Sequence, residues 1–201
     1  MTRAAKLIRL GAITLLRAVP VLALVPGTDA PDFTLTDLEG AEHSLAGYLK
    51  DGKTVVLEWF NPGCPFIKRH HGQFTTMDDT FAPYADRDVV WLAINSSAPG
   101  KQGHGLELNR TSHKEWGMTF PVLLDEAGDV GRAYGAKTTP HMYVITPDGK
   151  VAYNGAIDDQ RGFGDLGPTN YVAAALDAVL DGKAPAVASN APYGCSVKYG
   201  K

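Results

Sequence analysis

The chain is 201 residues long, 44% hydrophobic and 20% charged, ordinary values for a globular protein that exclude disorder, collagen and coiled coil. Lys+Arg 19 against Asp+Glu 22 leaves a formal charge of −3, so the basic surface with which a general nucleic-acid binder neutralises phosphates is not on offer. Cys64 and Cys195, the two cysteines, are too few for a zinc ribbon, an iron–sulfur cluster or a disulfide-dense mini-protein, and the length suits one domain with extensions.

Residues 1–25 read as a signal peptide or a mobile leader. No acidic residue precedes Asp29, whereas Arg3, Lys6, Arg9 and Arg17 are basic. The apolar stretches Leu10–Leu16 and Ala18–Val25 each fall short of the roughly 20 residues that span a bilayer, so no stable membrane span is expected. Val21-Leu22-Ala23 resembles a small-residue cleavage site. Export to the periplasm is the expectation; Arg17 inside the apolar region keeps a cytoplasmic location as the alternative.

Ala30–Leu45 alternates, turns near Asp37–Gly40 and resumes, predicting a hairpin. Lys53–Phe60 (KTVVLEWF) predicts a buried strand, and Pro65 to about Thr80 a helix. Val89–Asn95 (VVWLAIN) predicts a second buried strand, Ser96–Gly105 a loop, Leu106–Trp116 a helix and Phe120–Asp125 a short strand. Gly128–Tyr134 offers another helix. His141–Thr146 and Val151–Ile157 predict strands joined by the turn Pro147-Asp148-Gly149-Lys150. Asn170–Leu180 is the clearest amphipathic helix, with Thr169 as its cap and Gly182 as its stop. Asp181–Pro192 is rich in Ala, Pro, Gly and Ser and reads as a linker. One domain over residues 26–183 and a flexible tail over 184–201 carrying Cys195 follow. The alternation of strands and helices predicts an α/β fold, parallel strands in one mixed sheet with helices on both faces.

Cys64 stands where a buried strand gives way to a helix, in Phe60-Asn61-Pro62-Gly63-Cys64-Pro65-Phe66. Pro65 suits the first helical position, which needs no amide hydrogen. A sulfur at a helix N-terminus meets unpaired amides and the positive end of the dipole, which lowers its pKa and favours the reactive thiolate. Lys68 and Arg69, with His70, add positive potential in the next turn. The competing expectation is a small buried core cysteine.

The segment VVLEWFNPGCPFIK resembles the active-site segment of the thioredoxin superfamily, with Cys64 on the nucleophilic cysteine, Lys68 on the lysine after the motif and Glu58 on the buried carboxylate six residues earlier. Thr139-Pro140 in KTTPHMYVI resembles the superfamily's cis-proline. APDFTL, the insertion between Ser96 and Glu126, and VGRAYGAKTTP are similar to the redoxin branch of alkyl-hydroperoxide-reductase and thiol-specific-antioxidant proteins. NPGCPF, INSSAPGKQG, GAIDD and YGCSVKY together resemble the bacterial peroxiredoxin-like thioredoxin proteins, over about Gly27 to Tyr199. The resemblance implies a thioredoxin-like three-layer α/β/α sandwich with an N-terminal hairpin and a redoxin-type insertion. It also implies a thiol oxidoreductase that reduces a peroxide or a disulfide, draws electrons from an external thiol reductant and needs no cofactor. Two departures stand out. Ile67 replaces the second cysteine of Cys-x-x-Cys, and Asn61 occupies the place of the Thr or Ser that the peroxiredoxin pattern sets three residues before its reactive cysteine.

A lone nucleophilic cysteine needs a second thiol to move past a mixed disulfide or sulfenic acid. Cys195 is that candidate: a tether of about 12 flexible residues reaches about 19 Å, more than the radius of gyration of about 15 Å for such a domain. Cys195 is therefore expected to resolve the Cys64 intermediate. Two alternatives stay open: a permanent Cys64–Cys195 bridge, worth about 5 kcal/mol for a loop of about 130 residues on the chain-entropy model, or a spare thiol.

Glu58, beside Trp59 on an apolar strand, is a candidate proton exchanger for the thiol if buried; otherwise it points outward at a strand end. Pro65, Phe66, Thr139 and Pro140 are the candidate substrate-binding residues, although Phe66 also reads as core together with Trp59, Phe60 and Trp91. His70, His71, His104, His113 and His141 lack metal-ligand spacing and read as surface or helix-packing residues, so no metal is expected. Asp158 and Asp159, in GAIDD, are expected to fix the tail or cap a turn. Two rival functions remain: a non-catalytic redox-sensing or binding domain stapled through Cys64 and Cys195, and a copper- or haem-delivery chaperone of the same fold.

Overall fold

The computed structural model describes residues 24–201. The expected leader, apart from Leu24 and Val25, lies outside the described residues. Among the described residues no helix is long and apolar enough to cross a membrane.

β1 (Thr34–Asp37) and β2 (Glu42–Ser44) form the expected hairpin, pairing antiparallel with Leu35 opposite His43. Sequence reading runs the hairpin on to Leu45, but a short helix, α1 (Leu45–Lys50), starts there instead. Ser44 caps it, its hydroxyl accepting from the Gly47 amide at 3.1 Å. β3 (Thr54–Trp59) follows and is buried along its whole length. The helix expected over Pro65–Thr80 is broken. α2 (Pro65–Ile67) runs into a wider π-type turn over Lys68–Gln73, the chain extends at Phe74, and α3 (Thr76–Phe81) starts afresh. The wide turn directs three consecutive polar residues, Arg69, His70 and His71, into the interior, which a regular helix face cannot do.

β4 (Val89–Asn95), α4 (Leu106–Glu115), β5 (Val122–Leu124) and α5 (Asp129–Tyr134) come next, close to their predicted positions. β6 (Thr138–Thr139), β7 (Met142–Ile145) and β8 (Val151–Gly155) precede α6 (Tyr171–Leu180). The cap of α6 is Asn170 and not Thr169: the Asn170 side chain accepts from the Ala173 amide at 2.9 Å. β9 (Cys195–Ser196) closes the chain.

The main sheet has the order β2-β1-β5-β4-β3-β7-β8. β3, β4 and β5 run parallel, while the flanking pairs β3–β7, β7–β8, β5–β1 and β1–β2 are antiparallel. The two faces of β3 divide the core, as the period-2 geometry of a strand requires. Val55, Leu57 and Trp59 meet Leu45 of α1 and Tyr134 of α5 on one side. Val56 and Phe60 meet Met77 of α3 and Leu176 of α6 on the other. The fold is a thioredoxin-like α/β/α sandwich. Because both faces are covered, β3 and β4 read as near-continuous apolar runs.

The segment after residue 183, expected as a flexible tail, is pinned along its length. The Asn154 amide donates to Ala188 O at 3.1 Å, and the Asn190 side chain accepts from the Ala156 amide at 2.8 Å. Beyond β9, Ala98 N donates to Lys198 O at 2.9 Å and Tyr199 donates to Ala136 O at 3.0 Å. Residues 184–192 hold little apolar bulk, so their composition resembles a linker. Their order comes from hydrogen bonds to distant backbone, which composition does not encode.

Candidate active site

The turn after β3 is built around a buried amide. Asn61 Oδ1 accepts from the Gly63 amide at 2.8 Å, and the Cys64 amide closes back on Asn61 O at 3.0 Å. Asn61 Nδ2 donates to Ser97 Oγ at 3.2 Å and to Gln102 O at 3.0 Å, while Gln102 Nε2 returns to Gly63 O at 3.0 Å. The Ser96–Gly105 loop thus grips the turn that presents Cys64. Gly103 makes the grip feasible: its φ is +85°, and a Cβ there would overlap the Asn61 side chain. Cys64 itself is extended (φ −80°, ψ 127°) and opens α2, with Pro65 at the first helical position as expected.

The Cys64 side chain is fully buried, and its thiol donates to Thr139 O at 3.1 Å. The Thr139–Pro140 peptide is cis. Thr139 also faces the tail, because β6 and β9 pair antiparallel with Thr139 opposite Cys195. Cys195 therefore arrives beside Cys64 by way of a shared backbone partner, and the two thiols are within hydrogen-bonding reach of each other. Both are free thiols; Cys195 is half-buried. Gly194 permits the approach: its φ is +130°, and a Cβ there would run into the Thr139 carbonyl.

This setting separates the two sulfurs. Burial opposes ionisation of Cys64, but hydrogen bonding from the Thr139 side chain, from the Cys195 thiol and from the Ile67 and Cys195 amides outweighs it and holds the pKa below the ordinary thiol value. Cys195 is pushed up to about 11, first by burial and then by its bond to Cys64 and the charge of that neighbour. The first proton leaves Cys64, and the second is retained on Cys195.

Glu58 points inward, on the face of β3 shared with Val56 and Phe60, not outward at a strand end. Its Oε1 lies 2.7 Å from His71 Nε2, and its Oε2 accepts from Trp91 Nε1 at 3.2 Å. The His71 ring stacks on Trp116 at 5.8 Å and meets the edge of Phe60 at 5.5 Å. Glu58 is thus bonded to an imidazole and an indole, not to either cysteine.

The expected electrostatic pair does not act as a unit. Lys68 is exposed, and its amide donates to Cys64 O at 3.0 Å. Arg69 is buried, and its guanidinium donates to Gly164 O at 3.1 Å and Asp165 O at 2.9 Å, which directs it to a loop rather than to the sulfur. Pro65 is exposed beside Cys64. Phe66 is half-buried, its ring 4.5 Å from the exposed Phe163 ring and 5.7 Å from that of Tyr193. His70, His71 and His141 are buried packing residues, whereas His104 and His113 are partly exposed. Among the described residues no group of three or more His, Cys, Asp or Glu is placed to hold a metal.

Sequence reasoning missed the amide clamp of Asn61 on Ser97 and Gln102, the His71 and Trp91 partners of Glu58, and Tyr193. Asp158 does fix the tail, accepting from the Tyr193 hydroxyl. The signals were present as polar residues inside apolar runs: Glu58 in VVLEWF, His70 and His71 after Ile67, and Tyr193 two residues before Cys195.

Residues 26–154 match the AhpC/TSA family. The thiol-disulfide oxidoreductase ResA of Geobacillus thermodenitrificans (strain NG80-2) is 35% identical over 130 residues, 64% of this chain and 68% of that protein. Two solved structures extend the likeness further along the chain. The hypothetical protein SMc02350 from Sinorhizobium meliloti 1021 aligns with a TM-score of 0.76 at 29% identity, covering 89% of this chain and 97% of its own. An uncharacterized conserved protein from Geobacillus kaustophilus aligns with a TM-score of 0.73 at 30% identity, covering 87% and 92%. The family match ends at residue 154, ahead of the tail that carries Cys195.

Proposed function

The chain belongs to the AhpC/TSA family and is a thiol-dependent oxidoreductase, and from that premise we propose that it exchanges disulfides through Cys64 and Cys195. The observation that carries the proposal is the pairing of Thr139 with Cys195 while Thr139 O accepts from Cys64, which seats both sulfurs at one backbone position. The Cys64 thiolate attacks one sulfur of a substrate disulfide, a Cys64–substrate mixed disulfide forms, and the first substrate thiolate leaves and takes up a proton. Cys195, losing its proton, attacks the Cys64 sulfur; the second substrate thiolate leaves and the Cys64–Cys195 disulfide remains. An external dithiol reductant returns both cysteines to thiols by two further exchanges.

Disulfide exchange is favoured over peroxide reduction by Asn61. Its amide is committed to Gly63, Ser97 and Gln102, so the turn presents no hydroxyl donor at the place where the peroxiredoxin pattern has one. Glu58, bonded to His71 inside the same face, is the candidate proton store for the exchange. The expected site outside the cytoplasm rests on the leader and on the need for an oxidised partner.

The test is turnover of a small disulfide coupled to a dithiol reductant, with hydrogen peroxide run in parallel. Cys64→Ser abolishes disulfide turnover. Cys195→Ser reacts once and stops as a mixed disulfide visible by mass. Wild-type turnover retained in Cys64→Ser, or turnover of peroxide alone, overturns the proposal; the absence of any turnover favours the stapled, non-catalytic reading.

A further inference from the structure

The cysteine pair is completed by a segment that is not part of the sheet. Tyr193 to Ser196 crosses the opening of the site as a strap, with only the two residues of β9 paired to β6. So short a ladder is weak by itself. Beyond β9 the chain is tied down by Val197 N donating to Lys137 O at 3.1 Å and Ala98 N to Lys198 O at 2.9 Å; at the other end of the strap, ahead of Cys195, the anchor is a buried polar knot at Tyr193. Tyr193 is 7% exposed, and its hydroxyl donates to Asp158 Oδ1, a carboxylate that is 3% exposed. The same hydroxyl lies 3.0 Å from His70 Nε2, and His70 Nδ1 lies 3.2 Å from Thr76 Oγ1. Arg69 Nη1 stands 3.1 Å from His70 Nε2. Asp158 is fixed in turn by the amides of Gln160 at 3.2 Å and Gly167 at 3.4 Å. The knot therefore joins the π-type turn after Cys64, the 158–169 loop and the tail, regions far apart in sequence.

We propose that Tyr193, seated between Asp158 and His70, is the positioning residue that latches the strap and so sets Cys195 against Cys64. The proposal rests on the exchange reading above and specifies what makes that exchange efficient. Gly194, the only residue between Tyr193 and β9, has a backbone conformation that allows the strap to close onto Thr139. Fixing the phenol thus fixes the sulfur two residues on. The latch has a second consequence. Cys64 is fully buried while the strap is down, so an incoming disulfide reaches it only when the strap lifts. One latch governs both the closing of the internal disulfide and the access of reagents to Cys64, in opposite directions.

A buried hydrogen bond to a charged acceptor that is lost without replacement removes a contribution large enough to change an equilibrium tenfold or more. The equilibrium constant for forming the Cys64–Cys195 disulfide, measured in glutathione buffers on the full chain, reads the effective concentration of Cys195 at Cys64. In that equilibrium oxidised glutathione takes up the two electrons and the two protons released by the thiols. Tyr193→Phe and Asp158→Asn are each expected to lower the constant at least tenfold. In a Cys195→Ser background, each is expected to raise the rate of iodoacetamide attack on Cys64 several-fold. Tyr84→Phe is the control: its hydroxyl bonds Asp177 at 2.8 Å beside α6, so it costs stability and leaves both readings within twofold of wild type. The latch is overturned if both variants keep the wild-type constant, or fall no further than Tyr84→Phe. Two variants are used so that a failure of one to fold leaves the other to decide. If wild type itself forms no internal disulfide across the glutathione range, the exchange reading falls and the latch with it, a result distinct from a wild-type bridge that the latch variants leave untouched.

Discussion

Asn61 offers a sharp test of how the reactive turn is held. Replacing it with Ala deletes one accepted and two donated hydrogen bonds, at 2.8, 3.0 and 3.2 Å. Each is worth about 1 kcal/mol net, so the expected cost is about 3 kcal/mol. It does not go much higher because Gly63 is half-buried and Gln102 exposed, which lets water take over two of the abandoned partners; only Ser97 is sealed from solvent. For a domain of this size that cost lowers Tm by about 6–12 °C. Asn61→Asp separates stability from chemistry. It keeps the acceptor for the Gly63 amide but turns a carboxylate toward the Gln102 carbonyl and sets a negative charge near Cys64. The destabilisation should exceed that of Asn61→Ala, and the Cys64 pKa should rise because a like charge disfavours the thiolate. Urea unfolding gives the first quantity. The pH dependence of iodoacetamide alkylation, in a Cys195→Ser background so that one thiol is followed, gives the second. A loss below about 1 kcal/mol in Asn61→Ala would mean that the loop clamp does not hold the turn. An unshifted alkylation midpoint in Asn61→Asp would place the amide too far from the sulfur to influence it.

The Glu58–His71 pair predicts strong coupling. Glu58→Leu and His71→Leu should each cost about 3–5 kcal/mol, because either leaves a buried polar partner stranded, whereas the double variant should cost clearly less than their sum. A double-mutant cycle that adds within about 0.5 kcal/mol would show that the two side chains do not support each other. Acid should weaken the fold through two neutral imidazoles. Burial and the nearby Arg69 and His71 charges hold His70 at about 3, and burial followed by Lys137 holds His141 at about 3. In the unfolded chain each takes up a proton near pH 6.5, so the stability they support is complete above that value and declines as pH falls toward 3. The decline approaches about 1.4 kcal/mol per pH unit for each histidine. The urea midpoint should be lower at pH 5.0 than at pH 7.5, and replacing His141 by Asn should flatten the difference; equal midpoints in wild type would mean that these rings are not buried neutral.

The local chain alone determined the sheet-forming runs, the position of Cys64 at the end of β3 with Pro65 behind it, and the α/β class. These features depend on periodicity and on neighbours a few residues away, and they read directly from VVLEWF, VVWLAIN and NPGCPF. The tertiary structure decided the rest. Glu58 is buried because helices cover both faces of β3, and its partners His71 and Trp91 are set by the packing on the Val56 face. The split of one expected helix into α2, a π-type turn and α3 follows from polar side chains finding partners over 90 residues away, as Arg69 does at Gly164. The tail is the clearest case. Its composition signals a tether, yet Thr139, Asp158 and Asn154 supply hydrogen bonds that hold it across the reactive sulfur. Such bonds join segments separated by tens of residues, and nothing in the local pattern of either segment records the other.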